Sequence, residues 1–107
     1  MKKSDIDWKD GRVTWWGVIA EFDLDKSLDS QIDLLTKDLT QVEYAKNIVL
    51  DLGWTPSFKR DGGFNLLVVE NQDWENPIFK MRFRDFASLV PNLNKAIGFA
   101  VDRQSQK

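Results

Sequence analysis

Polar and apolar positions alternate most clearly in the second half of the chain. In "NIVLDLGWTPSF", Ile48, Leu50, Leu52 and Trp54 fall on one face with period two, predicting a strand. Pro56 then removes a backbone donor, which suggests an edge or a bulge there. "RDGG" predicts a turn into "FNLLVVEN", an apolar run of the buried-strand type, and "NQDWENP" reads as a loop. In "IFKMRFR", Phe79, Met81 and Phe83 share one side and Lys80, Arg82 and Arg84 the other, a further strand. Leu89, Leu93, Ile97 and Val101 follow at helical spacing. Pro91 is too deep for a first turn beginning at Phe86, so a short turn at 86–89 and a helix from about 91 to 101 are expected.

Earlier in the chain, Asp10-Gly11 separates two alternating runs and predicts a tight β-hairpin of "DIDW" with "RVTWWGVIAEF". In that register Ile6, Trp8, Val13, Trp15 and Ile19 share one face, and Trp16, Val18, Ala20 and Phe22 the other. Trp16 is then expected under the helices. Trp8 and Trp15 either cover one another or offer a contact site. In "KSLDSQIDLLTKDLTQVEY", Leu28, Ile32, Leu35, Leu39 and Val42 recur at i, i+4, i+7, i+11 and i+14, predicting an amphipathic helix capped by Ser27.

The resulting order is hairpin–α–β–β–β–α. It predicts an α+β fold: a mainly antiparallel four- to five-stranded sheet with two helices packed on one face, leaving the other face with far less cover. The 107 residues read as a single domain, 1–107, with 102–107 a frayed tail.

Composition narrows the chemistry. There is no cysteine and no histidine, which removes thiolate nucleophiles, His-based relays and the usual zinc ligands; no cofactor or metal is expected, and an enzyme is not the expectation. "DLDKSLDSQIDL" places Asp23, Asp25, Ser27 and Asp29 as in a calcium loop, but Leu28 and Leu34 stand where glycine and glutamate are required. No apolar run approaches the ~18 residues of a membrane helix, and the first ten residues hold no secretory apolar segment, so a cytoplasmic protein without membrane contact is expected.

Net charge is −2 but unevenly spread: residues 21–51 hold eight acidic and three basic groups. Asp25, Asp29 and Asp33, with Asp23 just ahead, would line one face of the predicted helix. That stripe is either a solvated face or a surface steering a basic partner. Trp74, alone in a polar loop, is either a lid over a core edge or a contact residue. Lys80, Arg82 and Arg84 could track a phosphate backbone, but the pI of about 5.1 argues against direct nucleic-acid binding. Cross-strand pairing to Asp51 or Glu70 is the expected fate of that stripe.

The stretch "LDLGWTPSFKRDGGFNLLVVENQDWENPIFKMRFRD", strand–turn–strand–loop–strand followed by the terminal helix, resembles the immunity proteins of bacterial polymorphic toxins and contact-dependent growth inhibition systems. The likeness is one of architecture and carries no residue-by-residue correspondence. It implies a non-enzymatic inhibitor, monomeric when free, that neutralises a cognate toxin in a 1:1 complex. The toxin would be basic and of nuclease type. The expected contact residues are Asp23, Asp25, Asp29, Asp33, Trp8, Trp15 and Trp74. A small-ligand or oligosaccharide-binding module using the tryptophans is the alternative, and a carboxylate-only hydrolase a third reading.

Overall fold

In the computed structural model, which describes residues 1–106, five strands form one antiparallel sheet in chain order. They are β1 (Arg12–Trp16), β2 (Thr40–Tyr44), β3 (Ile48–Thr55), β4 (Gly63–Glu70) and β5 (Phe79–Phe83). One helix, α1 (Leu89–Gln104), packs across one face, preceded by a short 3₁₀ turn at Phe86–Ser88. The α+β class and the mainly antiparallel sheet are as expected. The two-helix cover is corrected to one α-helix supplemented by 3₁₀ turns.

Register explains the core. Leu52 pairs with Leu66 and Leu50 with Val68; Phe64, Leu66 and Val68 in turn oppose Phe83, Met81 and Phe79. Facing residues of neighbouring strands therefore point the same way, toward Leu89, Leu93, Ala96, Ile97 and Ala100 of α1. Trp54 and Phe64, both fully buried, meet edge to face within this layer, with centroids 4.9 Å apart. Pro91 is the third residue of α1, where its missing N–H has no intrahelical partner to lose. Pro56 does not mark an edge: β3 is the central strand and ends one residue before it.

Two expected elements are replaced. Residues 27–44 do not form a helix. Asp29–Leu34 is 3₁₀, broken at Gln31, and Thr40–Tyr44 is strand β2. Thr40, Val42 and Tyr44 are buried while Gln41 and Glu43 point outward, so the period of two wins at the C-terminal end of the apolar stripe. The β2–β3 turn, with Lys46 and Asn47 at positive φ, makes that strand adjacent to the central strand β3, one of the two longest in the fold. Upstream, the buried Gln31 side chain accepts from Asp23 N–H (2.7 Å) and donates to the Asp23 (2.9 Å) and Ser27 (3.2 Å) carbonyls. These bonds satisfy the Asp23 backbone N–H and carbonyl and the Ser27 carbonyl without a helical ladder.

The N-terminal hairpin is also absent. Trp8 and Gly11 form a turn, but β1 pairs with β2, and residues 6–8 fold over the core instead. Trp8 is 9% exposed, donates to the Lys3 carbonyl at 3.0 Å and meets Trp16 edge-on at 6.1 Å. It therefore lies on the side of Trp16, not of Trp15. The end of α1 is tied down rather than frayed through Gln104. Arg103 makes a two-pronged contact with Glu70 (3.0 and 3.1 Å), and the Gln104 side chain accepts from Ala45 N–H at 2.9 Å. Lys107 of the expected tail lies outside the described residues.

Candidate functional site

The sheet face opposite α1 is the open one. Strand alternation and register place a row across it: Trp15 opposite Gln41, Gln41 opposite Asp51, Asp51 opposite Leu67, Leu67 opposite Lys80. At the usual strand spacing this row spans ~19 Å. A groove of about 430 Å³ occupies its middle, lined by Asp38, Gln41, Asp51, Leu67, Trp74 and Lys80 among others. Asp38 and Gln41 also line a neighbouring hollow against Trp15, so the two depressions form one trough.

Its walls follow from local structure. A strap at Thr36–Asp38 crosses the sheet beside β3, held by Leu39 N–H to the Leu52 carbonyl (2.9 Å) and Trp54 N–H to the Thr36 carbonyl (2.8 Å). Only a glycine admits this crossing, because a Cβ on Gly53 would lie 1.8 Å from the Lys37 carbonyl oxygen. The opposite wall is the β4–β5 loop carrying Trp74, 45% exposed. At the β1 edge Trp15 is 51% exposed, its indole N–H directed at the Asp38 carbonyl at 3.4 Å.

Asp51 stands on the floor. Its carboxylate accepts from Gln41 Nε2 at 2.7 Å. Burial pushes its pKa above the ordinary carboxylate range; the Gln41 bond opposes that shift and the nearby Asp38 charge adds to it. Among the described residues neither Asp38 nor Asp51 has an ion-pair partner. On the same face Arg82 donates to the Thr55 carbonyl (2.9 Å) and Asn65 Oδ1 (3.3 Å), while Arg84 donates to the Arg60 carbonyl. The expected pairing of that basic stripe with Asp51 or Glu70 is thus replaced: Glu70 belongs to Arg103.

The expected contact residues divide. Trp15 and Trp74 flank the trough. Trp8 is in the core. Asp23, Asp25, Asp29 and Asp33 share no α-helical face: only Asp29 and Asp33 fall in the kinked 3₁₀ segment Asp29–Leu34. Asp23 receives Asp25 N–H at 3.0 Å, Asp29 pairs with Arg60 at 3.3 Å, and Asp25 and Asp33 are exposed. Gln41 and Leu67 were not singled out in the sequence, and Asp51 was named there only as a pairing partner for the basic stripe. Asp51, a lone carboxylate between Leu50 and Leu52, was readable as outward-facing, but its neighbour Gln41 was not until β2 became a strand. No group of three or more acidic residues converges to hold a metal ion among the described residues, and no helix is long and apolar enough to cross a membrane. No family model, curated protein or solved structure matches this chain.

Proposed function

We propose that this chain is a non-enzymatic binding protein of the immunity type, acting in the cytoplasm by one-to-one contact with a basic, nuclease-type toxin domain. The open sheet face makes that contact. The observation supporting this reading is the pair of exposed indoles, Trp15 and Trp74, on either side of a trough whose floor carries a carboxylate without an ion-pair partner among the described residues. Tryptophan is enriched among residues that anchor interfaces, and an uncovered sheet face lets a partner exclude water from both indoles at once. The acidic stretch 21–38 borders the same strap and would speed approach of a basic partner.

Affinity capture from the native cell extract, with the intact chain and the W15A/W74A variant in parallel, tests the proposal. The expected result is a stoichiometric basic protein, released by high salt and missing from the double variant. Its expression alone should arrest growth, and co-expression of this chain should restore it. Equal capture by both forms would remove the open face from the reading. A second reading, stacking of a neutral oligosaccharide on Trp74, is favoured by the mixed donors and acceptors of the groove. Saturable tryptophan quenching by a sugar panel would support it.

A further inference from the structure

We propose that the trough receives an arginine side chain of the partner protein, its guanidinium on the Asp38 and Asp51 carboxylates and its plane against the Trp74 indole. This rests on the reading of the open face as a partner-binding surface and specifies what enters it. Three observations converge. Asp51 is half-buried with a single hydrogen bond, from Gln41, leaving most of its acceptor capacity unused. Asp38 lines the same groove, and its carboxylate has neither a hydrogen bond nor an ion pair among the described residues. Trp74, on the groove wall, offers a half-exposed indole.

A half-desolvated carboxylate beside a second one costs free energy in the free protein, and an incoming cation recovers it. The chain's own lysines do not fill this role. Lys80 lies two strands from Asp51, ~10 Å at ordinary spacing, and Lys37 forms no ion pair there among the described residues. Arginine fits better than lysine because a planar fork can serve two carboxylates while stacking on an indole. An acidic side chain would meet Asp38, Asp51 and Glu75.

The test is a titration of the intact, ¹⁵N-labelled chain with acetyl-Gly-Arg-Gly-amide, alongside analogues carrying citrulline or glutamate in place of arginine. The arginine peptide should shift the Gln41 and Asn65 side-chain amides and the Trp74 indole N–H, with millimolar affinity on the order expected for one residue. D51N should weaken it by about fivefold, as loss of a charge-assisted contact implies, and W74A by a similar factor. Citrulline binding as well as arginine, preference for glutamate, or absence of shifts at these residues up to about 20 mM would each overturn the assignment. The same variant separates this from the broader reading. A captured partner that holds D51N as tightly as the parent, yet is lost from W15A/W74A, refutes the arginine and leaves the open face standing.

Discussion

Gly53→Ala is the sharpest test of how the trough is built. The Gly53 backbone does not take a positive φ, so alanine is conformationally acceptable there and on backbone entropy alone should stabilise by ~0.4–1 kcal/mol. The strap reverses that sign. An added Cβ would sit 1.8 Å from the Lys37 carbonyl oxygen, where real contacts stop near 3.0 Å, so the strap must retreat by about 1.2 Å. The two hydrogen bonds flanking Gly53, at 2.9 and 2.8 Å, cannot survive that movement unchanged. Each contributes ~1 kcal/mol, and local overpacking adds ~1–3 kcal/mol. After subtracting the entropy gain, the expected loss is about 2–4 kcal/mol, or roughly 10–20 °C in Tm for a domain of this size. Urea unfolding followed by tryptophan fluorescence reads it. Gly98→Ala is the control: nothing lies within 4 Å of its Cβ position on the exposed side of α1, and the same substitution should stabilise by ~1 kcal/mol. If G53A were neutral or stabilising, as G98A is expected to be, the strap would not cross the sheet at Gly53.

Three further outcomes are expected. Trp8→Ala should cost ~3–5 kcal/mol in urea unfolding, and Trp15→Ala clearly less, because the first indole is buried and the second half-exposed. For Asp51, the folded protein binds the proton more tightly than the unfolded chain, whose carboxyl titrates near 3.8; stability therefore falls as pH rises from there through the raised folded value. D51N keeps the acceptor for Gln41 without the charge, so its melting temperature should exceed the parent's at pH 7 and converge with it near pH 3; a lower value at pH 7 would contradict the burial assigned to Asp51. Tyr44, the single tyrosine, is pushed up to about 12 by burial and by the Asp10 and Asp7 charges, and its hydroxyl donates to the Trp8 carbonyl at 3.0 Å. Absorbance titration at about 295 nm should show no phenolate at its ordinary midpoint of about 10.

The sequence determined those elements in which local pattern and tertiary demand agree. Alternation in 48–54, the apolar run 64–69, the Phe79–Met81–Phe83 face and the Leu89–Leu93–Ile97–Val101 stripe each became the strand or helix they spell. Opposite side-chain directions for Trp15 and Trp16 follow from strand geometry alone, and the former is the exposed one. Tertiary structure decided the rest. Residues 28–42 carry apolar residues at helical spacing, of which only Val42 falls within the alternation of Thr40–Tyr44, and pairing with Ile48–Leu52 was the stronger demand on that segment. Once β2 is a strand, β1 has a partner other than residues 5–9, and Ile6 and Trp8 are released to close the core. The acidic stripe vanished with the helix that would have aligned it. The trough is likewise invisible along the chain, since Trp15, Gln41, Asp51 and Lys80 become neighbours only through the register of five strands. A hydrophobic pattern specifies which face of an element is buried; which elements lie side by side depends on hydrogen-bond pairing and packing between distant residues.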